Sequence, residues 1–434
     1  MDYKMLAGAA CAALMGIVAP ADAATAPSIS AYSAPTSSAD AAVESFYASR
    51  HGAPLWVSND ETARTLTGIL KRASLDGLAS GPALAAQAEA LLARGKGGDK
   101  VALTSADHLL SAAWVMYVQA LQRPPSGMTV ADSWAAPRQQ SAQEVLQRAA
   151  AAGSLSAHLR SVSSVNPIYS QLRDAAWHQV QMSGAAPDTR LLATLDRVRT
   201  TPFQDRYIMV DAASAQLWMV ENGRIADSMK VIVGKPTTQT PMMASTIYYA
   251  TLNPYWNVPQ DLVQSLIAPR VVDQGVAYLK AHHYQVLDDY SADAAMLAPE
   301  KVDWRAVAAG KRVVKLRQLP GPANSMGQVK FAFPNAHDIY LHDTPNKAPF
   351  ADASRDISNG CIRLEDAQRL SRWMLGSAAA TASNAPEQHV LLPTPVPIFV
   401  TYLTAQANSG QLSFVDDVYG RDSAGSSVIA AALR

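Results

Sequence analysis

At Thr201-Pro202 the sequence changes its period, and that change decides what the chain can fold into. Before it, alanine and leucine recur at helical spacing in ETARTLTGILKRASL, PALAAQAEALLARG, TSADHLLSAAWVMYVQALQ and SAQEVLQRAAAAG, with Gly and Pro breaking the runs. After it, apolar residues alternate, and β-branched and aromatic side chains dominate RYIMVDAAS, AQLWMVENG, DSMKVIVGK and STIYYATLN. A helical period buries one stripe of a helix, and a period of two buries one face of a strand, so the two halves build different layers. The sequence predicts a multidomain α+β chain, with an N-terminal all-α region over residues 40–200 and a mostly antiparallel β-sandwich over residues 205–405.

Within the helical half, Thr104, Ser105 and Asp107 read as helix-start residues ahead of an apolar stripe at Leu109, Leu110, Ala113, Met116, Tyr117 and Leu121. His108, Trp114 and Tyr117 read as core or helix surface, since no ligand spacing accompanies them. In the strand half, Asn222-Gly223 is a two-residue hairpin signal. Residues 259–311 carry helical pieces, QDLVQSLIAPRVVDQGVAYLKAHH and PEKVDWRAVAAG, which read as a helical cap inserted between strands. Strands resume at RVVKLRQLP, QVKFAFP and DIYLHD, a helix is expected just after Cys361 at LEDAQRLSRWML, and PIFVTYLT closes the sheet. Residues 406–434 are left as a C-terminal tail.

The chain of 434 residues, 49% apolar and 17% charged, has enough apolar surface for a large core. Its 36 basic and 36 acidic residues balance, which leaves no electrostatic footprint for nucleic acid or an anionic membrane. Residues 1–24 read as a secretory signal: Lys4 supplies charge, residues 5–18 form a short apolar run, and Ala21-Asp22-Ala23 is a cleavage site of A-x-A type. Cleavage is expected after Ala23, followed by a flexible leader over residues 25–39. No later segment offers the ~18 consecutive apolar residues of a membrane span, so no integral membrane segment is expected.

Only two cysteines are present, and Cys11 would leave with the signal. A lipoprotein reading of Cys11 would want a Leu-like residue three places earlier, where Gly8 stands. Cys361, within ISNGCIRLED, is then a lone thiol in an oxidising compartment, where structural cysteines come in pairs. A thiol of ordinary pKa, about 8.5, is mostly neutral at physiological pH and needs a base or a positive field. His342 at the end of IYLH, Arg363 two residues beyond the thiol and the dipole of the helix expected next are the candidates. Gly360 permits the backbone conformation in which neighbouring N–H groups face an oxyanion. Each has a plain structural reading: packing for His342, a turn for Gly360, surface charge for Arg363, a small buried apolar residue for Cys361. Together around one thiol they outline nucleophilic acyl transfer. A redox role would want a resolving cysteine, which the chain lacks.

YLHDTP and SNGCIR resemble the signature of the L,D-transpeptidases of bacterial cell walls, whose YkuD-type catalytic domain carries His and then Ser-x-Gly-Cys-x-Arg. TPMMASTIYYATLNPYWNVP, KVDWRAV and PGPANSMGQVKFAFPNAHDIYLHDTPNKAPF resemble the large proteobacterial branch with a capping insertion, and roughly residues 205–405 are covered. The helical region resembles that branch's scaffold domain. The resemblance implies a YkuD-like sandwich in which Cys361 is the nucleophile, His342 the general base, and the N–H groups of Gly360 and Cys361 the oxyanion donors. Tyr340, Trp256 and Arg363 would line the site, with Ser358 and Asn359 of the signature also at the substrate. It further implies a periplasmic enzyme, without metal or cofactor, that attacks the third residue of a peptidoglycan stem tetrapeptide, expels D-alanine and transfers the acyl group to an amine. Donor and acceptor stems are the implied partners, D-amino acids exchange substrates, and carbapenems acylating agents of Cys361. The bond formed would be a 3-3 or a 1-3 cross-link. Alternatives with the same thiol are an L,D-carboxypeptidase and a lipoprotein-releasing amidase; a non-catalytic wall-binding scaffold is the alternative from another class. Two departures stand out: Asn359 replaces the histidine common at that place, and the stretch before the strands leaves no room for the branch's small peptidoglycan-binding module.

Overall fold

Most helices in the first half begin where a short polar side chain holds a free backbone N–H. The computed structural model describes residues 38–135, 138–199, 205–291, 293–376 and 385–422. The secretory signal, the cleavage site, Cys11 and the leader up to residue 37 lie outside the described residues. In order, the helices of this half are α1 (Ser38–Ser49), α2 (Asp60–Arg72), α3 (Gly81–Lys96), α4 (Lys100–Leu121), α5 (Ala142–Ala150), α6 (Leu155–Ser163), α7 (Pro167–Ser183) and α8 (Thr189–Val198). Asn59, Asp99, Ser154, Asn166 and Asp188 cap α2, α4, α6, α7 and α8, and Ser141 with Glu144 forms a capping box on α5.

The start of α4 corrects the sequence reading. Asp99 caps it, so Thr104, Ser105 and Asp107 lie inside the helix. Asp107 is buried and folds the preceding loop onto α4: its carboxylate accepts the N–H groups of Leu55 at 2.8 Å, Trp56 at 2.7 Å and Val57 at 2.9 Å, and the Tyr47 hydroxyl at 2.5 Å. Trp114 and Tyr117 are fully buried, and His108 stacks on Tyr47 at 4.1 Å, as packing residues. Although α4 is long and apolar enough to cross a bilayer, 56% of its apolar window is buried inside the protein.

The strands are β1 (Thr129–Val130), β2 (Arg206–Asp211), β3 (Gln216–Glu221), β4 (Arg224–Gly234), β5 (Met243–Leu252), β6 (Trp256–Asn257), β7 (Tyr284–Leu287), β8 (Lys315–Gln318), β9 (Val329–Ala332), β10 (Tyr340–His342), β11 (Asp356–Ser358), β12 (Ile362–Leu364), β13 (Gln388–Thr401), β14 (Ala405–Asn408) and β15 (Gln411–Phe414). Pairing runs β5-β13-β2-β3-β4-β12-β10-β9, and β9 returns to β5, so the sandwich closes around one apolar interior. Most pairs are antiparallel; β13 with β2, β10 with β12, β11 with β4 and β1 with β5 are parallel. Asn222 and Gly223 both take positive φ, 52° and 71°, in the hairpin between β3 and β4 that the sequence predicts.

Helical and strand halves share structure that the sequence did not suggest. β1, from the helical half, pairs parallel with the start of β5, and the Tyr248 hydroxyl bonds Asp132 at 2.5 Å. Tyr169, Leu172 and Leu195 of α7 and α8 join Tyr207 and Phe399 in a second core on the outside of the sheet. The stretch expected as a tail from residue 406 is folded onto the sandwich where it is described, through residue 422. It includes the β14–β15 hairpin, and Tyr419 enters the sandwich core with its hydroxyl on the Gly234 carbonyl.

The insertion folds as a cap with its own core, drawing on Val258, Ile267, Val271, Trp304, Val307 and Leu316. Its helices are α9 (Gln260–Leu262), α10 (Ala268–Gln274), α11 (Ala277–Ala281) and α12 (Trp304–Ala308), and β6-β8-β7 form its sheet. The cap core therefore reaches from Trp256 to Met326, wider than residues 259–311. A π-turn over Val263–Ile267 precedes α10, where Pro269 has no N–H to continue the regular ladder. After β12, α13 (Ala367–Leu375) packs Leu370 and Met374 on the sandwich core.

Asp107→Ala leaves three buried or half-buried N–H groups without their acceptor. It is expected to cost about 3 kcal/mol and to lower the urea midpoint followed by tryptophan fluorescence; an unchanged midpoint would mean that water replaces the carboxylate.

Candidate active site

Three short neighbouring strands make the site. β10 pairs antiparallel with β9 and parallel with β12, which sets Lys330 opposite His342 on one side and Arg363 opposite it on the other. Side chains alternate along a strand, so Phe331, Leu341, Ile362 and Leu364 fill the core while Lys330, Tyr340, His342 and Arg363 share the outer face. Cys361 precedes β12 and extends the same face beside Tyr340. The Cys361 thiol donates to the Asp338 carbonyl oxygen at 3.6 Å, and Tyr340 beside it favours the thiolate form.

Above this face lies a cavity of about 460 Å³. Cys361, Tyr340, Asn359 and Lys330 form its sandwich wall; Trp256, Pro259, Tyr290 and Lys315 come from the cap side. Trp256 is 8% exposed, so it packs in the cap core and presents one edge to the cavity. Tyr340 packs against the same cap core, which ties cap and thiol together.

The loop before Cys361 is held from behind. Gly360 has φ 117°, and a side chain there would begin 3.0 Å from the Ile339 Cδ1 atom. Its carbonyl accepts the Thr240 hydroxyl at 2.7 Å, and that hydroxyl in turn accepts the Gly234 N–H at 2.8 Å. Ser358 is 2% exposed, and its hydroxyl donates to the Cys361 carbonyl at 2.6 Å and accepts the Gly360 N–H at 3.1 Å.

Electrostatics favour the neutral form of both the Cys361 thiol and the His342 imidazole. Burial pushes the Cys361 thiol up, against the Tyr340 hydrogen bonds and the charges of Lys330 and Arg363. Burial, then Arg363, pushes His342 down to about 3, opposed by its bond to the Asp343 carbonyl. His342 Nδ1 lies 2.5 Å from that oxygen, which can only accept, so Nδ1 carries the proton and Nε2 holds the lone pair. Burial and then Cys361 raise Tyr340 well above the ordinary phenol range.

Four sequence expectations change. No helix follows Cys361 directly: β12 intervenes, and Asp366 caps α13 farther along the chain, so the positive field at the thiol comes from Lys330 and Arg363. The Gly360 N–H is committed to Ser358 instead of facing an oxyanion. Ser358 shapes the loop instead of touching the cavity. Arg363, half-buried, faces His342, and neither side chain lines the cavity: the buried imidazole sits on the same sheet face, behind the wall that Tyr340 and Cys361 form. Sequence reasoning missed Lys330, Thr240 and Tyr419. Alternation in QVKFAFP puts Lys330 opposite in facing to Phe331, but only the β9–β10 register sets it beside His342. Among the described residues, no cluster of His, Cys, Asp and Glu is arranged to hold a metal.

Residues 205–398 match the family model of the YkuD L,D-transpeptidase catalytic domain, and residues 41–175 match that of the Scaffold domain. A Haemophilus influenzae protein named "Putative L,D-transpeptidase" is 28% identical over 387 residues, covering 87% of this chain and 77% of that one. Similar solved structures include the Ldtfm-avibactam carbamoyl enzyme, at 11% identity and TM-score 0.21, over 46% of this chain and 51% of that one. Another is an L,D-transpeptidase from Mycobacterium smegmatis, at 12% identity and TM-score 0.23, over 45% of this chain and 58% of that one. The chain thus spans about half the length of these solved relatives. With the thiol, the imidazole and the cap in these places and both domain models matched, the chain carries a catalytic domain of the YkuD L,D-transpeptidase family behind a Scaffold domain.

Proposed function

We propose that the protein is a periplasmic L,D-transpeptidase that draws an acyl group from a peptidoglycan stem tetrapeptide onto Cys361 and passes it to an amine. The observation that carries this reading is the Cys361 sulfur on the wall of a capped cavity, beside Tyr340, with His342 buried on the same sheet face. The secretory pattern of residues 1–24 and the location of the wall support the periplasm.

The free enzyme starts from neutral thiol and neutral imidazole. As sulfur attacks the carbonyl of the third stem residue, the C–S bond forms, the thiol proton moves to His342 Nε2 and the carbonyl oxygen takes the negative charge. With the Gly360 N–H committed to Ser358, the Cys361 N–H is the donor left in the loop for that charge. An imidazolium between Lys330 and Arg363 is disfavoured, so its proton passes readily to the departing D-alanine amine and the C–N bond breaks. In the second half the incoming amine loses its proton to His342, attacks the thioester and regenerates the thiol. A diaminopimelate side-chain amine gives a 3-3 bond, the N-terminal L-alanine amine of another stem gives a 1-3 bond, and a free D-amino acid gives exchange.

Incubating the purified protein with tetrapeptide-containing muropeptides is expected to release D-alanine and form cross-linked dimers whose bond tandem mass spectrometry identifies. Cys361→Ala is expected to form none while keeping the fold, since a half-exposed thiol-to-methyl change removes little packing. Dimers from that variant would contradict the proposal.

His342, held down to about 3, stays neutral through mild acid. The pH profile of kcat/KM is therefore expected to be flat from pH 7 to about 5, with no inflection at the ordinary imidazole value near 6.5. An acid limb centred near pH 6.5 would place the catalytic base elsewhere.

A further inference from the structure

We propose that Lys330 is the carboxylate-binding residue of the Cys361 cavity, selecting donors that carry a free carboxylate a few bonds from the attacked carbonyl. The inference rests on reading the cavity as the donor site. Lys330 sits opposite His342 across β9–β10, on the outer face, and lines the same cavity as Cys361. Its ammonium stands 4.7 Å from the centroid of the Tyr340 ring, which lines the cavity beside Cys361.

Among the described residues that ammonium has no ion pair and no hydrogen bond. Lys347 pairs with Asp343 at 2.8 Å and Lys230 donates to the Phe350 carbonyl at 2.9 Å, whereas the second cavity lysine, Lys315 on the cap side, stands 5.4 Å from the Tyr290 ring and away from the His342 strand. A half-buried ammonium held only over an aromatic face has lost water without gaining an anion, which is the state of a group kept for a ligand. The cavity's own carboxylates do not fill the role. Glu387 already accepts the Tyr255 N–H at 2.6 Å, and neither Asp261 nor Asp338 pairs with Lys330.

Two parts of a stem tetrapeptide supply the matching chemistry. The departing terminal residue carries its α-carboxylate on the carbon bonded to the leaving nitrogen, and a diamino diacid in the third place carries a side-chain carboxylate. Either lies close to the carbonyl that sulfur attacks. Arg363, on the far side of His342, adds positive potential without facing the cavity.

The test measures kcat/KM for thioester formation, by rapid quench and intact-protein mass spectrometry, for wild type, Lys330→Gln and Lys330→Arg. Three synthetic tetrapeptides are compared: the free acid, its C-terminal amide, and its third-residue side-chain amide. Lys330→Gln is expected to lose roughly tenfold to a hundredfold on the free acid, and Lys330→Arg to recover most of that. On the amide that blanks the bound carboxylate, wild type should fall to the level of Lys330→Gln and the substitution should cost nothing further. Which amide does so identifies the source of the carboxylate. An equal loss on all three donors, or no loss on any, overturns the proposal while leaving the transpeptidase reading in place. Absence of any wild-type thioester on all three would overturn that reading itself.

Discussion

The parallel pairing of β10 with β12 is the constraint on which the site depends. A parallel register puts His342 beside Arg363 and, one step back, Tyr340 beside Cys361, all on the face that β alternation turns away from the core. Slipping either strand by one residue would send the imidazole or the thiol into the packed interior. The register is fixed because Leu341, Ile362 and Leu364 have no other place to go: all are fully buried. Reactive geometry here is a by-product of apolar packing on the opposite side of the same strands.

Around that register, support is arranged in layers. Behind the thiol, Tyr419 bonds Gly234, Gly234 donates to Thr240, and Thr240 donates to the Gly360 carbonyl, so a segment near the C-terminal end steadies the loop that presents Cys361. In front, the cap core meets Tyr340, which lines the cavity beside Cys361. To the side, β1 and the core shared with α7 and α8 join the helical domain to the sandwich. The helical domain is thus part of the catalytic unit's packing, in addition to any grip on substrate.

Much of this was legible in the sequence where a local rule governs it. The change of period at Thr201-Pro202, the Asn222-Gly223 hairpin and the singling out of Cys361 as a lone thiol depend on neighbouring residues and chemistry. What escaped depends on partners far along the chain. Asp107 looked like a cap, yet it serves three N–H groups some fifty residues earlier. Residues 362–364 looked like the run-in to a helix, yet pairing with β4 and β10 makes them a strand. Lys330 reads as an ordinary polar position in an alternating strand, and the commitment of the Gly360 N–H to Ser358 follows from a loop conformation that no spacing reveals.

The central claim is that Cys361, not another group of the cavity, takes the acyl chain. Peptide mapping of the protein quenched during turnover of a tetrapeptide donor tests it most directly. The account predicts a single adduct on the peptide containing Cys361, with the mass of the donor less D-alanine, labile to hydroxylamine and cleared when an acceptor amine is added. An adduct on any other residue, or full turnover after Cys361 has been blocked by alkylation, would contradict it.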